Sequence, residues 1–402
     1  MLGFIYKDGL VSAGNRIFPG VRGGFAIELL IIERKSAFEE MTVPATYSAF
    51  RRGQGENTEA IIPSIERTPS LQSSEVLIRI HAVSLNYRDV GMLHGRYPVS
   101  VKDQGIPASD CAGEVIAVGS AVSKVSLGDR VSPIFDLRYI DGVDPESKVA
   151  QLGGNIDGVL RQYAVFDESV LVHIPPHLSW AEASCITCAG TTAWNALEMN
   201  ESHEGERSAL MLGMLKTRPF DVRKLSGTGG VSLFALLICI GAGIRPIITS
   251  SSDKKLQDVT AFGPTGAIDT INYRENPDWE ECVAHLTAEK GVDIVLETVG
   301  GMSIKKSVNS MSTRGQISWI GFLGGAATRR LCQILGRAFF ESRAIQVGSK
   351  ADQENLCRFL EENHISLKPI IGKTFDFFES PAAFDYLYSG QCLGKVVITV
   401  SH

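Results

Sequence analysis

A chain of 402 residues is longer than one ordinary hydrophobic core supports, so two domains are expected. With 44% hydrophobic and 21% charged residues the composition is that of a globular protein rather than a disordered or fibrous one. A net charge of -6, with no basic stripe interleaved with aromatics, argues against a nucleic-acid partner, and the longest apolar runs (25–32 and 231–240) are too short to cross a bilayer.

Residues 1–40 are unlike the rest of the chain: a glycine-rich start, the apolar patch at 25–32 and a charged tail. Their acidic residues, sparse arginine and lack of a small-residue cleavage site weaken a targeting reading. A poorly ordered extension is expected, with Met41 a plausible alternative start. From Met41 the chain is β-rich. Residues 75–83 alternate as a half-buried strand does, and glycine turns punctuate short strands at 113–119 and 125–131. These predict a small twisted barrel. Helical spacing takes over at 178–197. Strands at 208–213, 247–250, 266–271, 293–297 and 316–320 then alternate with helices, the mark of a parallel, doubly wound sheet in an α/β fold. The tail, 367–400, returns to strands around a helix near 381–388.

Within the alternating part, Gly227-Thr228-Gly229-Gly230-Val231-Ser232 opens an apolar helix. Backbone N–H groups at such a helix start, with the positive end of its dipole, suit a diphosphate. Gly227 would make the tight turn, Gly229 would admit the phosphates, and Ser232 is small enough for the third position of the dinucleotide fingerprint. The next strand ends in Ser250, Ser251 and Ser252, followed by Lys254 and Lys255. An acidic residue there would bind the ribose of NAD; hydroxyls and ammonium groups suit the 2′-phosphate of NADP(H) instead. The plainer alternative is a serine-rich turn with Asp253 capping the next helix. One irregularity stands out: residues 214–227 separate the first parallel strand from its helix, and removing them would join Leu212-Gly213 directly to Thr228-Gly229. Pro219 and the basic residues make the segment a poor central strand. It is either a loop at the cofactor mouth, where Lys216, Arg218, Arg223 and Lys224 could aid phosphate binding, or an unspliced segment, the reading we favour.

Ser84-Leu85-Asn86-Tyr87-Arg88-Asp89, residues 105–113, Val118-Gly119, Gly128-Asp129-Arg130-Val131, the glycine loop, residues 293–301 and Gly394-Lys395-Val396-Val397 come in the same order as in medium-chain dehydrogenase/reductases. From Met41 onward the chain resembles that superfamily, and most of all its zinc-independent, quinone-oxidoreductase-like branch with many fungal members. The resemblance implies a GroES-like β-rich catalytic domain over residues 41–185, a Rossmann cofactor domain over 186–335 and a return to the catalytic domain over 336–402, with nicotinamide in the cleft. It places further cofactor contacts on Thr192, on Tyr273, on Thr298 and Gly300, on Gly321, Phe322 and Leu323, and on Lys395, beside Gly227, Gly229, Gly230, Val231, Ser250, Ser252 and Lys255. It also implies a possible homodimer through the Rossmann sheet edges.

Zinc-dependent relatives hold their metal with cysteine and histidine. Here Asn86 stands at the first ligand position and Ser109 at the histidine, so only Cys188 matches. The segment 133–162 lacks the cysteines of a structural zinc loop, and Cys185 with Cys188 reads better as buried small hydrophobes than as a redox pair. A metal-free site is expected. Stabilisation of developing negative charge then falls to hydrogen-bond donors, the candidates being Asn86, Tyr87 and Arg88, with Asp89 orienting them and Tyr97 nearby. The leading expectation is an NADP(H)-dependent oxidoreductase reducing a carbonyl or an activated C=C of an enone or quinone, a small-molecule substrate that in fungal relatives often belongs to a secondary-metabolite pathway. The alternatives are a zinc-type alcohol dehydrogenase and a non-catalytic cofactor-binding protein. Eight scattered cysteines fit a reducing compartment, the cytoplasm by default.

Overall fold

The computed structural model describes residues 43–54, 60–97, 99–141, 148–200, 207–212, 229–301, 303–321 and 340–401. The expected extension, with Met41, and the segment 214–227 lie outside the described residues, as do Gly227, Phe322 and Leu323. Strands β1 (Thr46–Arg52) and β2 (Ile61–Arg67) form an antiparallel pair. Strand β3 (Glu75–Leu85) comes next, with Ile78 and Ile80 buried and Arg79 and His81 between them on the wetter face. Helix α1 (Tyr87–Leu93) leaves its end, and β4 (Asp110–Val118), β5 (Arg130–Pro133), β6 (Tyr163–Asp167) and β7 (Leu171–His173) pair back. Register shifts in the β3–β4 ladder mark the bulges that such a curved sheet needs.

Helix α2 (Trp180–Ala183), a single π-helical turn (Ile186–Gly190) and helix α3 (Thr191–Ala196) fill the stretch of helical spacing. Then comes the alternation: β8 (Ser208–Met211), α4 (Gly230–Ala242), β9 (Arg245–Ser250), α5 (Asp253–Thr260), β10 (Asp269–Asn272), α6 (Trp279–Leu286), β11 (Val292–Glu297), α7 (Ile304–Asn309), β12 (Met311–Trp319) and β13 (Glu341–Ala344). All six strands run parallel in the order β10-β9-β8-β11-β12-β13, the 3-2-1-4-5-6 arrangement of a doubly wound dinucleotide-binding sheet. Both faces are covered, so the strands are nearly continuous apolar runs. Leu210, Ile247, Val295 and Ile317 face a core with Trp279, Val283 and Ile304, while Ala209, Met211, Ile248 and Leu296 face the core shared with α4. The expected boundary at 335/336 falls before β13, the strand that completes this sheet at the β12 edge.

Helix α4 is apolar all round, with Ser232 to Cys239 buried, as a helix enclosed by protein must be. Gly243, at φ 70, ends it in the left-handed conformation. Helix α8 (Lys350–Glu362) begins in a capping box, with Ser349 Oγ accepting from Asp352 N–H. Strand β14 (Ile371–Asp376), helix α9 (Ser380–Tyr388) and strand β15 (Lys395–Thr399) complete the chain. Strand β15 joins β3, so the last strand enters the first large sheet, whose order is β14-β15-β3-β4-β5-β7. Among the described residues no helix is long and apolar enough to cross a membrane.

Candidate active site at the carboxyl ends of the parallel strands

Strand order reverses between β8 and β11, and the chain ends of these strands open a crevice there. Thr298, just past β11, donates its hydroxyl to Leu212 O at 3.1 Å, bridging the two. Gly321, past β12, approaches so closely that a β-carbon there would lie 2.8 Å from Thr298 O. Gly300 adopts φ 94, which glycine alone takes without strain. The turn is anchored by Glu297, whose buried carboxylate accepts from Val299 and Gly300 N–H at 2.8 and 2.9 Å and from the hydroxyls of Ser303 and Ser307. Helix α4 starts at the same crevice. Gly229 is its N-cap with extended backbone, no side chain caps it, and its β-carbon position is open.

Farther along the edge, Ser250 ends β9 fully buried, Tyr273 N–H donates to Ser250 O at 3.1 Å, and the Tyr273 hydroxyl is paired with Ser251. Burial raises the Tyr273 pKa. Ser252, rather than Asp253, caps α5, accepting from Lys255 N–H; the Asp253 carboxylate instead accepts from Asn272 Nδ2 at 2.7 Å. The Lys255 ammonium donates to Cys392 O at 3.3 Å, and burial lowers its pKa. Val231 is half-buried at the α4 start, and Thr192 is buried in α3.

Three strand ends from the other sheet meet the α4 start. Register pairs Val396 with Leu85 and Ser84 with Asp110, which sets Lys395, Asn86 and Asp110 side by side. The Lys395 ammonium donates to Leu85 O at 2.9 Å and Asn86 Oδ1 at 2.5 Å and stands 3.6 Å from Asp110 Oδ2. Its stem lies across Gly230, where a β-carbon would fall 2.5 Å from Lys395 Cδ, and a bridge joins Gly229 to Gly394. Asn86 stands at the N-cap position of α1, yet its oxygen serves Lys395; its N–H donates to the Asp89 carboxylate at 2.8 Å. Asn86 Nδ2 is buried and has no hydrogen-bond partner among the described residues. Such an orphaned donor calls for an explanation.

The other catalytic candidates divide. Arg88 and Asp89 are buried: Arg88 donates to Leu152 O at 2.8 Å and lies over the Phe135 ring, while Asp89, its pKa raised by burial, holds Asn86. Arg88 and Arg52, which donates to Gly153 O, brace the 151–154 turn. Tyr87 is half-buried, and both its pKa and that of Tyr97 are raised by burial. A β-carbon at Gly91 would sit 3.5 Å from the Tyr97 ring and 3.8 Å from that of Tyr87, so both rings line one side of α1. Asp110 and Glu297 escape a reading of the sequence alone: each is a lone carboxylate in an apolar stretch, and only strand pairing shows its partners.

Comparison with known proteins accords with this geometry. Residues 72–176 match the family model described as alcohol dehydrogenase GroES-like domain, and residues 230–361 the one described as zinc-binding dehydrogenase. The zinc-type alcohol dehydrogenase-like protein of Schizosaccharomyces pombe is 34% identical over 335 residues, covering 82% of this chain and 92% of its own length. The chain belongs to the medium-chain dehydrogenase/reductase superfamily. As a medium-chain dehydrogenase/reductase it is an oxidoreductase of a superfamily that binds a nicotinamide cofactor. A Nematostella vectensis quinone oxidoreductase-like protein 2 homolog is 25% identical over 343 residues, 82% of this chain and 83% of that protein. A solved structure of a Sinorhizobium meliloti protein assigned as an alcohol dehydrogenase superposes with a TM-score of 0.75 at 30% identity, covering 89% of this chain and all of that one.

These residues fit the cofactor: the uncapped helix start at Gly229, Gly230 and Val231 would take a diphosphate, and Ser250, Tyr273, Thr298 and Gly321 stand at the strand ends beyond it. The zinc of the family does not fit these residues. Asn86 offers an amide oxygen already bound to an ammonium, and Ser109 Oγ donates to Asp110 Oδ1 at 2.6 Å. That leaves Cys188 alone of the family's ligand set, its thiol pushed up to about 12 by burial with Asp110 nearby.

Proposed function

We propose that this dehydrogenase/reductase uses NADPH to reduce a carbonyl or an activated C=C of an enone- or quinone-type substrate, without a catalytic metal. The observation that carries the reading is the Asn86 carboxamide: its oxygen is held by Lys395 and its Nδ2 has no partner among the described residues. A neutral donor of this kind can stabilise charge developing on a substrate oxygen, the task a metal performs elsewhere in the superfamily. The reduced nicotinamide supplies the hydride; the protein's own contribution is orientation and charge stabilisation. Tyr87 and Tyr97 form the wall beside Asn86, and Arg88 and Asp89 support it from below. The preference for NADPH rests on the hydroxyls of Ser250 and Ser252 and the ammonium of Lys255 near the end of β9, where the Asp253 carboxylate is engaged by Asn272 Nδ2.

The test is NADPH oxidation assayed against quinones, enones and aldehydes, with metal analysis of the same preparation. Turnover without stoichiometric zinc, undiminished by a strong chelator and poorer with NADH, is the expected result. Activity lost to the chelator and restored by zinc would sink the metal-free reading. Coenzyme binding with no turnover on any of these substrates would favour a non-catalytic binding protein.

A further inference from the structure

We infer that Lys395 is the positioning residue of this cleft: its ammonium stands where a catalytic cation would and fixes the Asn86 carboxamide so that Nδ2 faces the substrate oxygen. The inference rests on the metal-free reductase reading above. Resemblance alone assigns Lys395 to the coenzyme, and the geometry turns its head group elsewhere. An ammonium has three donors. Here two serve Leu85 O and Asn86 Oδ1, and the Asp110 carboxylate stands 3.6 Å away as the counter-charge, all at the sheet that carries β3 and β4. Only the aliphatic stem touches the dinucleotide side, across Gly230. An asparagine amide can present either end to a neighbour, but an ammonium, which only donates, pairs solely with the oxygen end. Lys395 therefore commits Nδ2 to the opposite direction, and Asp89, holding the Asn86 N–H at 2.8 Å, fixes the backbone from which the amide projects. Lys395 is 2% exposed and Asp110 wholly buried, so water cannot replace the ammonium as a counter-charge. Because the same side chain spans the α4 start and the Asn86 end of the cleft, it ties the place of the coenzyme to that of the donor.

The experiment is steady-state kinetics and coenzyme fluorescence titration of Lys395→Ala, Lys395→Met, Asn86→Ala and the Asn86→Ala/Lys395→Met double variant. The Lys395 variants should lose about ten- to hundredfold in kcat, the worth of one charge-assisted hydrogen bond. Their Kd for NADPH should stay within about threefold of wild type. Methylammonium or ethylammonium should restore kcat of Lys395→Ala saturably, and tetramethylammonium, which has no N–H, should not. Because Lys395 acts through Asn86, the double variant should fall no further than Asn86→Ala alone. Additive losses, absent rescue, or weakened coenzyme binding with kcat retained would each overturn the inference. Should Lys395→Ala fail to fold, Lys395→Met, whose stem still fills the space against Gly230, carries the cycle and the titration. A wild type that turns over none of the substrates sinks the reductase reading itself, a result visible before any variant is compared.

Discussion

Glu297 shows how much a single buried carboxylate organises. Desolvation raises its pKa above the ordinary 4.5, and hydrogen bonds from Ser307, Gly300, Ser303 and Val299 oppose that shift without cancelling it. A folded pKa above the unfolded one means that the group's contribution is fully present below the unfolded value and lost as pH rises through the folded one. Glu297→Gln removes the titration but keeps the shape. The Tm deficit of this variant relative to wild type is therefore expected to shrink as pH climbs above 4.5, measured by thermal melts across the acid-to-neutral range. A deficit that grows with pH would show that the carboxylate is held ionised by its donors. At the same scale Asn86 serves two neighbours. It stands at the N-cap of α1 in a capping box, its N–H held by the Asp89 carboxylate, while its side-chain oxygen accepts from Lys395.

Helix α4 is the element on which the proposed cofactor site and the Lys395–Asn86 pair converge. Its start lies between the β8–β11 crevice and the first residue of β15, and glycine at 230 is required because the Lys395 stem occupies the space a side chain would take. Gly230→Val should displace that stem and cover the first-turn amides. Coenzyme affinity is expected to fall about tenfold or more, roughly 1.4 kcal/mol, in a fluorescence titration. Retained affinity would show that the diphosphate does not rest there. The π-helical turn at Ile186–Gly190 is the complementary element: its Cys188 N–H donates to Asp110 Oδ2 at 3.2 Å, steadying the carboxylate that faces Lys395. Such insertions into helices recur at functional sites.

Across the whole molecule, the cleft persists because the elements flanking it share one core. Gly190 packs where α3, α4 and α8 meet, and a β-carbon there would come within 2.8 Å of Phe234 and 3.0 Å of Leu356. Gly190→Val should cost about 1–3 kcal/mol by overpacking, read as a lower urea midpoint. An unchanged midpoint would show that the junction is loosely filled. Beside it, Gln353 of α8 donates to Ser132 Oγ at 3.1 Å, and Ser132 and Thr187 hydroxyls meet at 2.7 Å, tying β5, the π turn and α8 together through buried polar groups.

The parallel strands, the apolar α4 and the β-rich first part were legible in the order of residues, because periodicity and glycine placement are local properties fixed by backbone sterics. Strands read at 247–250 and 293–297 form β9 and β11, and the tail's helix is α9. The helix start at Gly229 and Gly230 was legible for the same reason, as was the absence of cysteine and histidine at two of the zinc positions. The partners of the side chains were not. Lys395 and Asn86 lie 309 residues apart, and nothing local to Gly394-Lys395-Val396 says that its ammonium reaches Leu85 O and Asn86 Oδ1 beside Asp110. That depends on β15 pairing with β3 and β3 with β4 in one register, a long-range choice made by burial of both strands' apolar faces. Residue types and their spacing thus determined the family and the crevice, while the tertiary pairing of distant strands decided which polar groups meet inside it.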